Sequence, residues 1–256
     1  MSAPTTYLVT GANRGIGRGF VRTFLQRSET LVIAAVRDLS SESSRSLQDL
    51  PKGAGTKLIT VKLDSAVETD AAEAVALLQA EHGISYLDVV IANAGISVGG
   101  DTVRRTSATN IAKHLAVNTT GPVLLFQATA DLLQASKSQQ PIFVAISTLI
   151  GSIGSMEALA SFPQNMSPYG GSKAALNWFI RRLHFEETWL TSFVFHPGLV
   201  ETDLAAAAVE GLGVKLSDVG AISVETSVSS MVKTLDNASR HISGTFQNYD
   251  GSALPW

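Results

Sequence analysis

The chain has 256 residues, 45% of them hydrophobic, and a formal net charge of −3. That is enough for one sizeable core, and it carries neither a basic stripe for nucleic acid nor a polybasic run for an anionic membrane. The lack of cysteine excludes disulfides, thiol nucleophiles and thiolate metal sites.

The opening "MSAPTTYLVTGANRG" has no charged segment followed by an apolar one, so no secretory leader is expected. No apolar run approaches the roughly 20 residues of a membrane span. A cytoplasmic protein is expected.

In chain order, strands are expected at 6–10 ("TYLVT"), 30–36 ("TLVIAAV"), 57–63, 86–92, 142–147 and 191–196, with a weaker one at 244–250. Their near-continuous apolar runs suit strands buried on both faces of a parallel sheet. Amphipathic stretches at 15–28, 66–82, 106–135, 168–187 and 223–238 are expected helices. The Ser-rich "LSSESSRS" (39–46) reads as a loop entering a helix. The alternation predicts an α/β fold: a single Rossmann-type domain over 1–256, with a doubly wound parallel sheet of about seven strands. Its nucleotide-binding half would span about 1–100 and its catalytic and substrate half about 101–256.

"YLVTGANRGIGRGF" (7–20) is a strand, a tight turn and a helix start, with Gly11, Gly15 and Gly17 in a T-G-x-x-x-G-x-G pattern. Glycine lets the backbone approach a pyrophosphate, and the next helix points its N–H groups at that anion. Thr10, Gly11, Asn13, Arg14, Gly15, Ile16 and Gly17 form the expected cofactor turn. The second strand ends in Arg37, with Asp38 one residue further. Two guanidiniums, Arg14 and Arg37, suit the 2′-phosphate of NADP(H) through bidentate bonds. The alternative is that both are plain surface charges and Asp38 takes the ribose of NAD.

"SPYGGSKAALN" (167–177) places Tyr169 four residues before Lys173, on one helical face. Ser167 suits N-cap and Pro168 the first helical position. A phenol there can donate a proton to a carbonyl oxygen, and a neighbouring cation is expected to lower its pKa from about 10. Gly170 and Gly171 are expected to let cofactor or substrate come close. Taken alone, the stretch is a capped helix start with a solvated lysine.

The glycine turn, "NAG" (93–95), "IST" (146–148), Y-x-x-x-K (169–173) and "HPGLVET" (196–202) fall in the order of the classical short-chain dehydrogenases/reductases, which the chain resembles over nearly its whole length. The 21-residue gap from Thr148 to Tyr169 is similar to that of the carbonyl-reductase-like and sniffer-like subgroup. Phrases such as "NYDGSALPW" resemble fungal ketoreductases of the norsolorinic acid ketoreductase type.

The resemblance implies that Asn93, Ala94 and Gly95 contact the adenosine half of the cofactor, that Asp64 faces the adenine and that Ile16 caps the turn. Pro197, Gly198, Val200 and Thr202 would line the nicotinamide side. Asn118 would hold a relay water, and Lys173 would orient the ribose. Either Thr148 or Ser147 would hold the substrate oxygen, with register favouring Thr148.

Five histidines show no metal-ligand spacing, so no metal is expected. His196 reads as strand-end packing, and Glu186 with Glu187 as a solvated helix end. "FPQNM" (162–166) and "LAAAAVEGLGV" (204–214) are expected to form a lid. The final tryptophan, Trp256, is expected to pack on another subunit of a homodimer or homotetramer. The leading expectation is an NADPH-dependent reductase of a small apolar carbonyl compound. The others are an NAD-dependent alcohol dehydrogenase and a non-catalytic NADP(H) sensor.

Overall fold

Eight strands form one sheet in the order β3-β2-β1-β4-β5-β6-β7-β8 in the computed structural model, which describes residues 3–160, 165–209 and 215–256. β1 (Thr5–Thr10), β2 (Thr30–Val36), β3 (Lys57–Lys62), β4 (Val89–Ala92), β5 (Ile142–Ile146), β6 (Thr191–His196) and β7 (Phe246–Asn248) run parallel. β8 (Ala253–Leu254) is antiparallel to β7. It escaped the sequence reading because two residues before Pro255 show no alternation.

The helices are α1 (Gly15–Leu25), α2 (Glu42–Arg45), α3 (Asp70–His82), α4 (Ala108–Leu115), α5 (Gly121–Gln134), α6 (Ser167–Glu186), α7 (Asp203–Val209) and α8 (Val224–Asp236). Alternate strand residues feed two cores. Leu8, Ile33 and Val90 pack toward α3, α5 and α6 through Leu78, Leu125 and Ile180. Val9, Val32 and Ile91 pack toward α1 and α8 through Phe20, Phe24 and Met231. Each such side chain contributes about 1.5–3 kcal/mol on burial, which is why these strands read as continuous apolar runs.

Two expected elements differ. The strand expected at 86–92 begins at Val89, because the buried Asp88 ties loops instead. One carboxylate oxygen accepts from the Thr6 N–H (2.9 Å), and the other accepts from the Ser136 hydroxyl and the Lys137 and Ser138 N–H groups. The helix expected over 106–135 is divided by a π turn, Ala116–Thr120. Pro122 follows as the second residue of α5, where its missing N–H removes one rung of the helical run that continues from the π turn. Such wide turns concentrate at functional sites, and this one carries Asn118.

The strand order reverses between β1 and β4, so the loops leaving their C-terminal ends flank the crevice where open α/β sheets bind ligands. Of the two segments expected to form a lid, α7 covers 203–209, while 161–164 and 210–214 lie outside the described residues.

Candidate active site

The turn after β1 is shaped by contact with β4. Gly11 adopts φ +61, and a Cβ there would lie 3.0 Å from the Ala94 Cα. Gly17 is tighter: an added Cβ would sit 2.2 Å from the Gly11 carbonyl oxygen and 2.5 Å from the Asn93 amide nitrogen. The Thr10 hydroxyl accepts from the Asn93 and Ala94 N–H groups, both at 3.0 Å. The Asn93 amide donates to the Thr10 carbonyl (2.8 Å) and more weakly to that of Gly11 (3.3 Å). The first turn of α1 has no acidic residue and its N-cap, Arg14, makes no side-chain cap, so the dipole end faces the crevice uncompensated. Thr202 closes the far edge, its methyl group 3.3 Å from where a Cβ on Gly15 would be. The turn, Asn93–Gly95 and Thr202 thus form one cradle.

At the end of β5, Thr148 and the buried phenol of Tyr169 come together. Burial pushes Tyr169 up to about 12, and the neighbouring Thr148 hydroxyl draws it back down. Lys173, one turn along α6, is buried too; burial brings its ammonium down to about 8, and its Nζ donates to the Ile146 carbonyl at 2.7 Å. The expected lowering of the phenol by the lysine is not what this arrangement produces. Burial dominates, and the lysine is turned to a carbonyl on β5.

The Ser147 hydroxyl donates to Asn177 Oδ1 at 2.5 Å. Asn118 fixes the β4 exit: its Oδ1 accepts from the Ile96 N–H (2.8 Å), and its Nδ2 donates to the Ile96 carbonyl (2.9 Å) and the Ser172 hydroxyl (3.0 Å). Gly95 lies between Asn118 and Lys173, a Cβ there falling 3.3 Å from Oδ1 and 3.6 Å from Nζ.

A cradle at a strand–helix turn and a Tyr/Lys/hydroxyl cluster at the neighbouring strand ends have a counterpart in known proteins. A family model described as short chain dehydrogenase matches residues 5–213.

The chain belongs to the short-chain dehydrogenases.

It is 42% identical to a norsolorinic acid ketoreductase of Dothistroma septosporum over 100% of this chain and 94% of that one. It is 40% identical to that of Aspergillus parasiticus over 98% and 91%. Among solved structures it is similar to an NADPH-bound carbonyl reductase from chicken fatty liver (TM-score 0.85, 31% identity, 100% of both chains). The Sniffer carbonyl reductase of D. melanogaster is also similar (TM-score 0.80, 25% identity, 99% and 100% coverage).

The other expected residues of this short-chain dehydrogenase fall as follows. Arg14 and Arg37 are exposed; Arg14 approaches the exposed Asp203 at 3.5 Å, a pairing worth little in water. Asp38 turns to its own loop, accepting from the Ser40 N–H (2.8 Å) and hydroxyl (2.6 Å), which hold it below the usual carboxylate range. Asn13 donates to the Ser43 hydroxyl at 2.7 Å. Ile16 is half-buried against the core of the α1 face. Asp64 accepts from the Ala66 N–H at the end of β3. Pro197 accepts from the Ser227 hydroxyl (2.6 Å), Gly198 adopts φ +83 against Ile222 and Tyr249, and Val200 bridges to Ile222.

The structure adds detail to four further expectations. Ser167 is the first residue of α6 and Met166 stands before it without a side-chain cap, although Tyr169 stays in the first turn. Gly170 makes room for Ile150, whose carbonyl would lie 3.1 Å from an added Cβ, and Gly171 faces open space. Trp256 packs within its own chain, on Phe246 at 5.7 Å and under Arg181 at 5.6 Å. Asn118 spends both amide hydrogens on protein partners.

His196 accepts the Leu149 N–H on Nδ1 (3.2 Å), and burial brings it down to about 4. Two structural residues, Ser172 and Asn177, were missed by the sequence reading. Their spacing from Lys173 on one helix was visible, but their partners were not.

Among the described residues no group of three potential metal ligands occurs, and no helix is long and apolar enough to cross a membrane.

Proposed function

We propose that this chain is an NADPH-dependent ketoreductase acting on an apolar, aromatic or polyketide-like carbonyl compound. The carrying observation is the buried Tyr169 side chain in the first turn of α6, one turn before the buried Lys173 and beside Thr148 at the end of β5, with burial keeping its phenol protonated. Carbonyl reduction needs a hydrogen-bond donor and a proton donor converging on one oxygen as it gains negative charge.

The cradle of Thr10, Gly11, Asn13, Gly15, Ile16 and Gly17, with Asn93, Ala94 and Gly95, fits a dinucleotide, because side chains are excluded where a backbone must approach. Asp64 would sit at the adenine, and Pro197, Gly198, Val200 and Thr202 at the nicotinamide. When bound, the reduced nicotinamide supplies the hydride. Thr148 holds the substrate oxygen, the Tyr169 hydroxyl gives it the proton, and Lys173 orients the ribose. Asn118 holds the π turn where the proton supply enters.

Arg14 and Arg37, both exposed beside the cradle, favour a 2′-phosphate, and Asp38 is engaged by Ser40 instead of facing a ribose. Exposed Val98, Val103, Ile153 and Met156 lie on the segments leaving β4 and β5, and exposed Leu204 lies in α7 after β6, which supports an apolar substrate, as does the likeness to norsolorinic acid ketoreductases. Exposed Trp178 and Phe179 line a hollow of about 260 Å³ between α5 and α6, which supports the homo-oligomer, testable by light scattering.

The test is oxidation of NADPH across acetophenone, menadione, benzaldehyde and larger aryl ketones, alongside titrations of NADPH and NADH. Turnover with at least tenfold tighter NADPH is expected. Tighter NADH would overturn the role of Arg14 and Arg37. NADPH binding with no carbonyl reduced would favour a sensor.

A further inference from the structure

We infer that Asn177 is a positioning residue that holds the Thr148 hydroxyl at Tyr169, and that Ser147 serves this clamp. The inference rests on the proposed role of Thr148. Asn177 is buried one turn beyond Lys173 on the same face of α6. Its amide bonds the chain on both sides of Thr148. Oδ1 accepts the Ser147 hydroxyl at 2.5 Å, and Nδ2 donates to the Gly151 carbonyl at 3.1 Å.

Residues 146–151 therefore run along α6 as a strap with several fastenings. Lys173 holds the Ile146 carbonyl, Asn177 holds 147 and 151, and Ile150 rests on Gly170. Gly151 lies so close to α6 that an added Cβ would sit 2.7 Å from the Lys173 Cβ. Thr148 sits inside the strap beside Tyr169, its hydroxyl accepting the Ile150 N–H at 3.3 Å.

Only an amide of this length donates to a carbonyl on one side while accepting a hydroxyl on the other. Aspartate lacks the donor, and alanine leaves the Ser147 hydroxyl and the Gly151 carbonyl without partners. A displacement near 1 Å in a reacting group can cost on the order of 100-fold in rate, so the clamp has leverage without touching substrate.

The test is a double-mutant cycle with the fastest substrate of the carbonyl panel and NADPH titrations on each variant. Asn177→Ala is expected to lower kcat about tenfold or more, with KM for NADPH within about twofold. Ser147→Ala should lose less, because the Gly151 bond remains. In a Thr148→Val background, Asn177→Ala should change the residual rate less than about twofold, as expected when two residues act as one unit. Equal losses in both backgrounds, or wild-type kcat for Asn177→Ala, would overturn the clamp. If Asn177→Ala does not fold, Asn177→Asp and Ser147→Ala carry the same cycle. Wild-type turnover of Thr148→Val would sink the proposed role of Thr148 itself, a distinguishable result.

Discussion

Replacing Gly17 with alanine tests the cradle directly. The new Cβ would lie 2.2 Å from the Gly11 carbonyl oxygen, whereas ordinary contact begins at 3.4 Å. One of the two must move by about 1.2 Å, the gap between those distances. Neither has slack: Gly17 lies in the first turn of α1, and the Gly11 carbonyl also receives the Asn93 amide. Overpacking of this kind costs about 1–3 kcal/mol, and a weakened hydrogen bond adds about 1. For a chain of this size the melting temperature should fall by roughly 5–10 °C.

The same movement displaces the N–H groups aimed at the pyrophosphate, so NADPH affinity should fall at least tenfold. Gly171→Ala is the control. Its Cβ meets nothing within 4 Å, and inside a helix the exchange should stabilise by about 1 kcal/mol. Differential scanning fluorimetry and NADPH fluorescence titration read both. A Gly17→Ala variant with unchanged melting and affinity would refute the reading of the turn.

Two further outcomes follow from buried groups. Lys173 titrates near 8 in the fold against 10.5 unperturbed, so between those values the unfolded chain binds more protons and stability rises with pH. The gain between pH 8 and 10 should be up to about 2–3 kcal/mol in denaturant titrations, and Lys173→Met should abolish that rise; an unchanged slope would contradict the burial of the ammonium. Asp88→Ala strips acceptors from Thr6, Ser136, Lys137 and Ser138 and should cost at least about 2–3 kcal/mol in the same assay.

Much of the fold was legible locally. β2 occupies 30–36 as its apolar run predicts, and the turn after β1 announces itself by three glycines before a helix. What was hidden depends on partners distant in sequence. Asp88 shortens β4 by serving Thr6 and the 136–138 loop, and Trp256 is drawn back onto Phe246. Register alone favours Thr148 over Ser147; what "ST" does not show is that the Ser147 hydroxyl bonds Asn177, 30 residues downstream. The pKa of Tyr169 was misread for a related reason: the helical spacing shows Lys173 nearby, but not the depth of burial or the Ile146 carbonyl that takes its ammonium.

The most direct measurement is turnover of Tyr169→Phe beside its NADPH affinity. The substitution removes one buried hydroxyl and keeps the ring. Reduction of every carbonyl in the panel should fall by at least about 100-fold, with the dissociation constant for NADPH within about twofold of wild type. Turnover near the wild-type rate would contradict Tyr169 as the proton donor, and with it the proposed mechanism.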